Sequence, residues 1–184
     1  MDKKEFWRLI EESKKFENQA EWLTEVLSHR ESNEILEFEF YFESFMNESY
    51  QSRLWGAAYI LMGGCSDDAF DYFRGWLIGQ GEETYQKVIE NHEYLATYIH
   101  EENLDEEGYP QNEEILSVGL DAYTFKKTGD TEWDDDIHDE MLEKLDKKGL
   151  KPAVDFEFDW EEDTDDLQNM FPKLWARFGE NPLG

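Results

Sequence analysis

The chain has 184 residues and carries 46 Asp and Glu against 17 Lys and Arg, a formal net charge of −29. Such a field repels phosphates and anionic lipid surfaces, so we expect neither nucleic acid nor a membrane as a partner. This length predicts one domain, residues 1–184, with a core that needs no metal or disulfide. With Cys65 as the single cysteine, no apolar run near about 18 residues and no signal-like start, we expect a cytoplasmic protein.

Apolar residues recur at helical spacing through the first third of the chain and predict amphipathic helices. The stripes are Phe6, Leu9, Ile10 and Ser13, then Trp22, Leu23, Val26 and Leu27, then Ile35, Phe38, Phe42, Phe45 and Met46. Phe38, Phe40 and Phe42 also alternate as a strand would, and the length of the segment 33–47 favours a helix. Residues 54–62 predict an apolar helix that ends at Gly63 and Gly64 and pairs with the next helix.

The stretch 63–81 predicts a capped helix with an acidic start. Ser66 is the expected N-cap, and Asp67 and Asp68 follow in the first turn, where negative charge complements the helix dipole. Gly79 and Gly81 supply the end of the helix. The apolar face of this helix is formed by Phe70, Phe73, Trp76 and Leu77.

The run GGCSDDAFDYFRGWLIGQG over residues 63–81 resembles bacterial family 4240 of domains of unknown function. Three further segments are similar to that family: Phe6-Trp7-x-x-Ile10, Ala57-Ala58-Tyr59, and Phe171-Pro172-x-Leu174-Trp175-x-Arg177-Phe178. The resemblance implies a bacterial cytosolic setting. It implies no activity, cofactor or catalytic residue.

A second face of the same helix is a candidate functional site. Asp67, Asp71 and Arg74 are spaced by four and three residues, with Asp68 beside them. Carboxylates can hold a divalent metal through oxygen ligands, and an adjacent arginine can receive an anionic substrate. The alternative is a salt-bridged face in which the aspartates only complement the start of the helix.

The second half of the chain predicts further helices and one extended piece. We expect a short helix after Gly81, an acidic surface loop over 101–112, a helix over 115–125 closed by Gly129, and a loop with a modest surface helix over 131–151. Alternation of apolar and acidic residues over 154–160 predicts a short extended segment with Val154, Phe156, Phe158 and Trp160 against the body. A C-terminal helix over 165–178 contains Pro172, which predicts a kink or a restart.

Acidic residues crowd the segment 155–166 and form a candidate interaction surface. They are Asp155, Glu157, Asp159, Glu161, Glu162 and Asp163. The alternation permits a test for a calcium loop, but Trp160 takes the sixth position, where that loop needs glycine, and Asp166 the twelfth, where it normally has Glu. A solvated acidic edge is therefore the interpretation we adopt.

The search for catalytic or cofactor motifs is negative. The four histidines show no paired-ligand spacing, and Gly63-Gly64 lacks the positions that a phosphate-binding loop requires. Cys65 precedes a helix start, where a thiolate would be stabilised, or is simply a small packing residue. We therefore predict no metal and no cofactor.

These observations predict a mainly α protein, a single compact multi-helix domain, that binds a basic protein partner as an inhibitor or toxin-neutralising protein would. The phosphate-binding face of a nuclease is one such basic surface. The first alternative is a small enzyme or divalent-metal-binding protein that uses Asp67, Asp68, Asp71 and Arg74. A purely structural module, or acidity that serves only solubility or a salty habitat, also fits the sequence.

Overall fold

The computed structural model describes residues 1–162 and 164–184, and the mainly α prediction is confirmed. These residues form α-helices and short 3₁₀ turns and contain no β-strand. The helices are α1 (Lys3–Ser13), α2 (Gln19–Ser28), α3 (Ser32–Ser49), α4 (Ser52–Met62), α5 (Asp67–Gly79), α6 (Glu82–Glu90), α7 (Leu95–Tyr98), α8 (Val118–Thr128), α9 (Asp135–Lys148), α10 (Thr164–Met170) and α11 (Pro172–Phe178). The 3₁₀ turns are His92–Tyr94, Glu101–Asn103 and Glu114–Leu116.

Local signals in the sequence account for where several helices begin and end. The Ser66 side chain accepts a hydrogen bond from the backbone N–H of Ala69, so α5 begins where the sequence predicts. Asn18 and Asp134 cap α2 and α9 in the same way. Gly63 adopts a left-handed conformation with φ +66°, which a residue with a side chain rarely adopts, and thereby ends α4.

Helix α3 occupies the middle of the fold. It packs against α1, α2, α5, α8 and α9, so its predicted stripe is buried from several sides. The strand-like alternation of Phe38, Phe40 and Phe42 has no structural counterpart. Phe38 and Phe42 lie in the core, whereas Phe40 is only partly buried at its edge. Helical length, rather than the local alternation, therefore predicts this segment correctly.

The extended segment of the C-terminal part departs from the prediction, whereas the C-terminal helix follows it. Residues 151–158 have no regular secondary structure, and Val154 is 81% exposed instead of lying against the body. Phe158 is 50% exposed, although one edge of its ring contacts Trp55. The C-terminal helix restarts at Pro172, one of the two outcomes that the sequence predicts. It divides into α10 and α11, since Pro172 occupies the first turn of the second helix, where its missing N–H is not needed.

The segment after α6 contains elements that the sequence pattern did not predict. A 3₁₀ turn and the single-turn helix α7 cover His92–Tyr98, with Leu95 fully buried. Helix α11 lies against α7 and α4. Arg177 on α11 donates to the carbonyl oxygens of Ala96 and Ile99 at 2.6 and 2.7 Å, which fixes the contact. Within the described chain, no helix is both long enough and apolar enough to cross a membrane.

Candidate functional site

The predicted face of α5 is brought together, but its members have different surroundings. Asp67 and Asp68 are exposed in the first turn, Asp71 is partly exposed, and Arg74 is buried. Nη2 of Arg74 pairs with Oδ1 of Asp71. The other terminal nitrogen, Nη1, donates to the carbonyl oxygen of Met46 at 2.6 Å. Arg74 therefore connects α5 to the last turns of α3.

Two aromatic rings enclose the same guanidinium. Its carbon lies 5.0 Å from the ring centre of Tyr50 and 4.9 Å from that of Phe70. Contacts of this kind are favourable cation–π interactions when the cation is withdrawn from water. The arrangement accounts for Arg74 as a tie within the fold. In the part of the chain that the structure describes, no group of three or more His, Cys, Asp or Glu side chains is placed to hold a metal ion.

The acidic segment presents its carboxylates to solvent. Asp155, Glu157, Asp159, Glu161 and Glu162 are all exposed, whereas Asp163 lies outside the described residues. Two members are also tied to the body: Glu162 is hydrogen-bonded to Tyr59 of α4, and Asp159 is held by two residues of the same helix. Hydrogen bonds from Ser52 and Arg53, at 2.6 and 2.8 Å, lower the pKa of Asp159.

Aromatic side chains between these acids hold the segment in place. Trp160 is buried, and its indole N–H donates to the carbonyl oxygen of Ser52 at 2.8 Å. Phe156 lies 4.8 Å from the ring of Tyr50, and Phe158 lies edge-on to Trp55 at 5.2 Å. Three of the four predicted apolar contacts are therefore present. Asp155 and Glu157 face outward from an anchored segment.

A third site, which the sequence reasoning did not identify, is a groove of about 600 Å³ between α3, α8 and α9. Its lining combines carboxylates with leucines, one methionine and one tryptophan. The lining residues are Glu39, Glu43, Tyr72, Glu113, Glu114, Leu116, Ser117, Leu120, Trp133, His138, Met141, Leu142, Leu145 and Leu150. The groove is thus largely apolar and carries acidic groups, and His138 is the one basic side chain among its described lining residues.

Glu39 is the unusual residue of this groove. It is only 7% exposed, and its Oε2 is buried with no hydrogen-bond partner among the described residues. Burial raises the pKa of Glu39 well above its usual range, and the carboxylates of Glu43 and Asp121 raise it further. A Cβ built on Gly119 of α8 would overlap Oε2 and come within 2.8 Å of the Glu39 Cδ. The carboxyl group therefore occupies the space that the missing side chain leaves open.

Glu43 follows one helical turn later on α3 and continues the acidic wall. Burial raises its pKa, and the positive charge of Arg74 opposes that rise, whereas the negative charge of Asp71 adds to it. Glu43 also lines a smaller groove of about 360 Å³ that contains Asp67, Asp71 and Arg74. The predicted α5 face and the larger groove are therefore neighbours that share this carboxyl.

One signal in the sequence indicates Glu39. It lies four residues after Ile35 and three before Phe42, on the apolar stripe of α3. An acid on the buried face of a helix is unusual, because a charged group is rarely buried without a partner. The pattern does not reveal that Gly119, eighty residues later, leaves room for the carboxyl.

The rim of the groove is apolar and acidic. Trp133 is 65% exposed and Leu142 is 50% exposed, although both are large apolar side chains. The Trp133 ring lies 4.8 Å from the ring of His138. Glu113 and Glu114 are exposed on another side of the groove.

Cys65 lies before α5, partly buried. Burial raises the pKa of its thiol to about 12, and the charge of Asp71 adds to the rise, while a hydrogen bond with Trp55 opposes it. The thiol is therefore protonated at neutral pH, which disfavours the nucleophilic alternative.

A family model described as protein of unknown function (DUF4240) matches residues 1–125, more than half of the chain. The chain belongs to this family. The DUF4240 match includes the α5 motif, Glu39 and Gly119, whereas α9, the acidic segment and the similar residues 171–178 lie outside it. The groove therefore has two walls inside the match and one outside. No curated protein and no solved structure matches the chain.

Proposed function

We propose that this DUF4240 protein binds a basic protein partner in the bacterial cytoplasm, in the manner of an inhibitor or toxin-neutralising protein. The observation that carries the proposal is the acidic segment, in which exposed carboxylates alternate with aromatic residues that anchor it. Trp160 of the segment is hydrogen-bonded to Ser52 of α4, so the carboxylates of the segment are held in position before a partner binds. Because the segment is already ordered in the free protein, less conformational entropy is lost when a partner binds.

The charge of the whole chain supports the same function. With 46 acids and 17 bases, most carboxylates have no basic counterpart within the chain. Asp155 and Glu157 form no ion pair with any described residue. An acidic field of this size accelerates encounter with a basic surface, and added salt weakens the attraction because it screens exposed charges.

The experiment is a tagged pull-down from native bacterial lysate at low and high salt, with retained proteins identified by mass spectrometry. We expect a basic protein that is retained at low salt and released at high salt. The binding constant of that purified protein is then measured for the wild type and for D155N/E157Q/E161Q/E162Q. A matched control, E25Q/E102Q/E106Q/E180Q, removes the same number of exposed carboxylates elsewhere.

The comparison separates a local surface from a general effect of charge. We expect the segment variant to lose about tenfold or more in affinity, equivalent to roughly 1.4 kcal/mol, and the control variant to lose clearly less. Equal losses in the two variants would show that the segment has no special role. Retention of no basic protein at low salt would contradict the proposed function itself.

The alternative, a small enzyme or divalent-metal protein, rests on Asp67, Asp68, Asp71 and Arg74. Arg74 is already engaged by Asp71, a backbone carbonyl and two aromatic rings, which leaves the guanidinium little free surface for a substrate. For that reason we favour the binding function. Titration with Mg²⁺ or Mn²⁺, followed by tryptophan fluorescence in the wild type and in D67N/D68N, tests the alternative directly.

A further inference from the structure

The wall of the groove between α3, α8 and α9 contains a buried carboxyl group with an unpaired oxygen among the described residues. Oε2 of Glu39 is buried at the groove wall without a hydrogen-bond partner among the described residues, although buried polar atoms are almost always paired. Glu43 lies one helical turn away and lines the same groove. The groove wall therefore carries two adjacent carboxyl groups, and the described chain supplies no hydrogen-bond partner for Oε2 of Glu39.

We propose that this groove is the pocket for one arginine or lysine side chain of the basic partner, with apolar residues on either side of it in the partner sequence. The inference rests on the proposed function, since the partner is the same basic protein. The inference specifies where the partner binds and which kind of side chain the partner inserts. The acidic segment supplies long-range attraction, and the groove supplies the specific contact.

The chemistry of the lining fits this occupant. A guanidinium carries five donors and no acceptor, so it can pair with Glu43, and its methylene stem suits an apolar wall. Oε2 of Glu39 lies against Gly119 without accessible surface, so it pairs with the same guanidinium once the Glu39 side chain turns into the groove. The leucines Leu116, Leu120 and Leu142 provide that wall. Trp133 at the rim can pack against the apolar neighbours or against the cation, since tryptophan is the ring that binds cations best.

Other occupants fit less well. An anionic ligand would meet Glu39, Glu43, Glu113 and Glu114 in the lining. A second copy of this chain would bring a further net charge of −29 to an already acidic face. A wholly apolar segment would leave Oε2 of Glu39 buried without a partner, which is costly. The positively charged, apolar-flanked side chain is the occupant that meets each of these conditions.

The test begins with a display library of random short peptides selected on the immobilised wild-type protein. We expect the selected peptides to share one arginine or lysine at a fixed position beside apolar residues. One selected arginine peptide is then synthesised in two forms, with arginine and with citrulline, its neutral isostere. We expect the citrulline form to bind at least about tenfold more weakly, because a charge-assisted contact is lost.

Variants locate the contact in the groove. E39Q is expected to remove most of the discrimination between arginine and citrulline. W133A and L142A alter exposed rim residues, so they keep the test valid if E39Q does not fold, and each is expected to weaken binding severalfold. F125A is the matched control, because Phe125 is an exposed aromatic on α8 that does not line the groove.

Selected peptides without a shared cationic residue, equal binding of the two peptide forms, or equal effects of W133A, L142A and F125A would each overturn the groove proposal. The groove can be excluded as the pocket without excluding a basic partner. A partner whose binding is weakened by D155N/E157Q/E161Q/E162Q but not by the rim variants would leave the basic-partner function standing. Absence of any basic partner in the pull-down would contradict the function whatever the peptides do.

Discussion

Glu39 is expected to destabilise the protein that carries it. Replacing it with methionine, E39M, keeps the approximate volume of the side chain and removes the buried carboxyl. Because Oε2 has no partner among the described residues, the wild type bears the cost of an unsatisfied buried polar group, about 1–3 kcal/mol. We therefore expect E39M to raise the free energy of unfolding at pH 7 by roughly that amount.

The sign of the pH dependence follows from the raised pKa of Glu39. In the unfolded chain this side chain loses its proton near its ordinary pKa of 4.5, whereas in the folded protein it keeps the proton to higher pH. Between those two values the unfolded state binds fewer protons, so stability falls as pH rises, by up to about 1.4 kcal/mol per pH unit. Below the ordinary pKa both states are protonated and this contribution is absent.

The measurement is urea unfolding followed by tryptophan fluorescence, from about pH 5 to about pH 8, for the wild type, E39M and the exposed-acid control E25Q. Many other carboxylates titrate in this range, so the informative quantity is the difference between each variant and the wild type. We expect the E39M difference to grow with pH and the E25Q difference to stay near zero. An E39M protein that is less stable than the wild type at pH 7, or a difference that does not grow, would refute the reasoning.

Three further predictions concern Arg74, Gly119 and Cys65. Arg74→Ala removes the hydrogen bond to the Met46 carbonyl from a charged group, so we expect a loss of about 2–3 kcal/mol in chemical denaturation. Gly119→Ala places a Cβ where the Glu39 carboxyl lies, with an expected loss of about 1–3 kcal/mol, and a double-mutant cycle with Glu39→Ala should show that the two changes are not additive. Cys65 should alkylate with iodoacetamide far more slowly in the folded than in the urea-unfolded protein, since raising its pKa from 9.0 to about 12 lowers the thiolate population at neutral pH about a thousandfold. Equal alkylation rates would contradict that pKa.

The family match covers only part of the groove. Its α3 and α8 walls lie within the DUF4240 match, and its α9 wall lies outside it. Glu39 and Gly119, whose missing side chain leaves room for the Glu39 carboxyl, both belong to the matched residues. The exposed rim residues Trp133 and Leu142 come from the unmatched part. In the proposed mechanism, the matched part supplies the charge contact, and the unmatched part supplies apolar contacts for one particular partner.

Elements with local signals can be predicted from the amino-acid sequence. Ser66 and the two aspartates after it predict the start of α5, because the cap and the helix dipole act within one turn. The apolar spacing of α3 predicts a helix, and Gly63 predicts the end of α4. The charge excess is a property of composition. These features required no knowledge of which helices are neighbours.

The roles of the polar residues depend on contacts between distant parts of the chain. The spacing of Asp71 and Arg74 is the same for a surface ion pair and for a buried tie, and the choice depended on the rings of Tyr50 and Phe70 closing over the guanidinium. Glu39 is a buried carboxyl, without a hydrogen-bond partner at Oε2 among residues 1–162 and 164–184, because Gly119, eighty residues away, leaves room for it. Periodicity tells which face of one helix is buried. It does not tell what lies across from that face, and burial, partners and pKa values depend on what lies there.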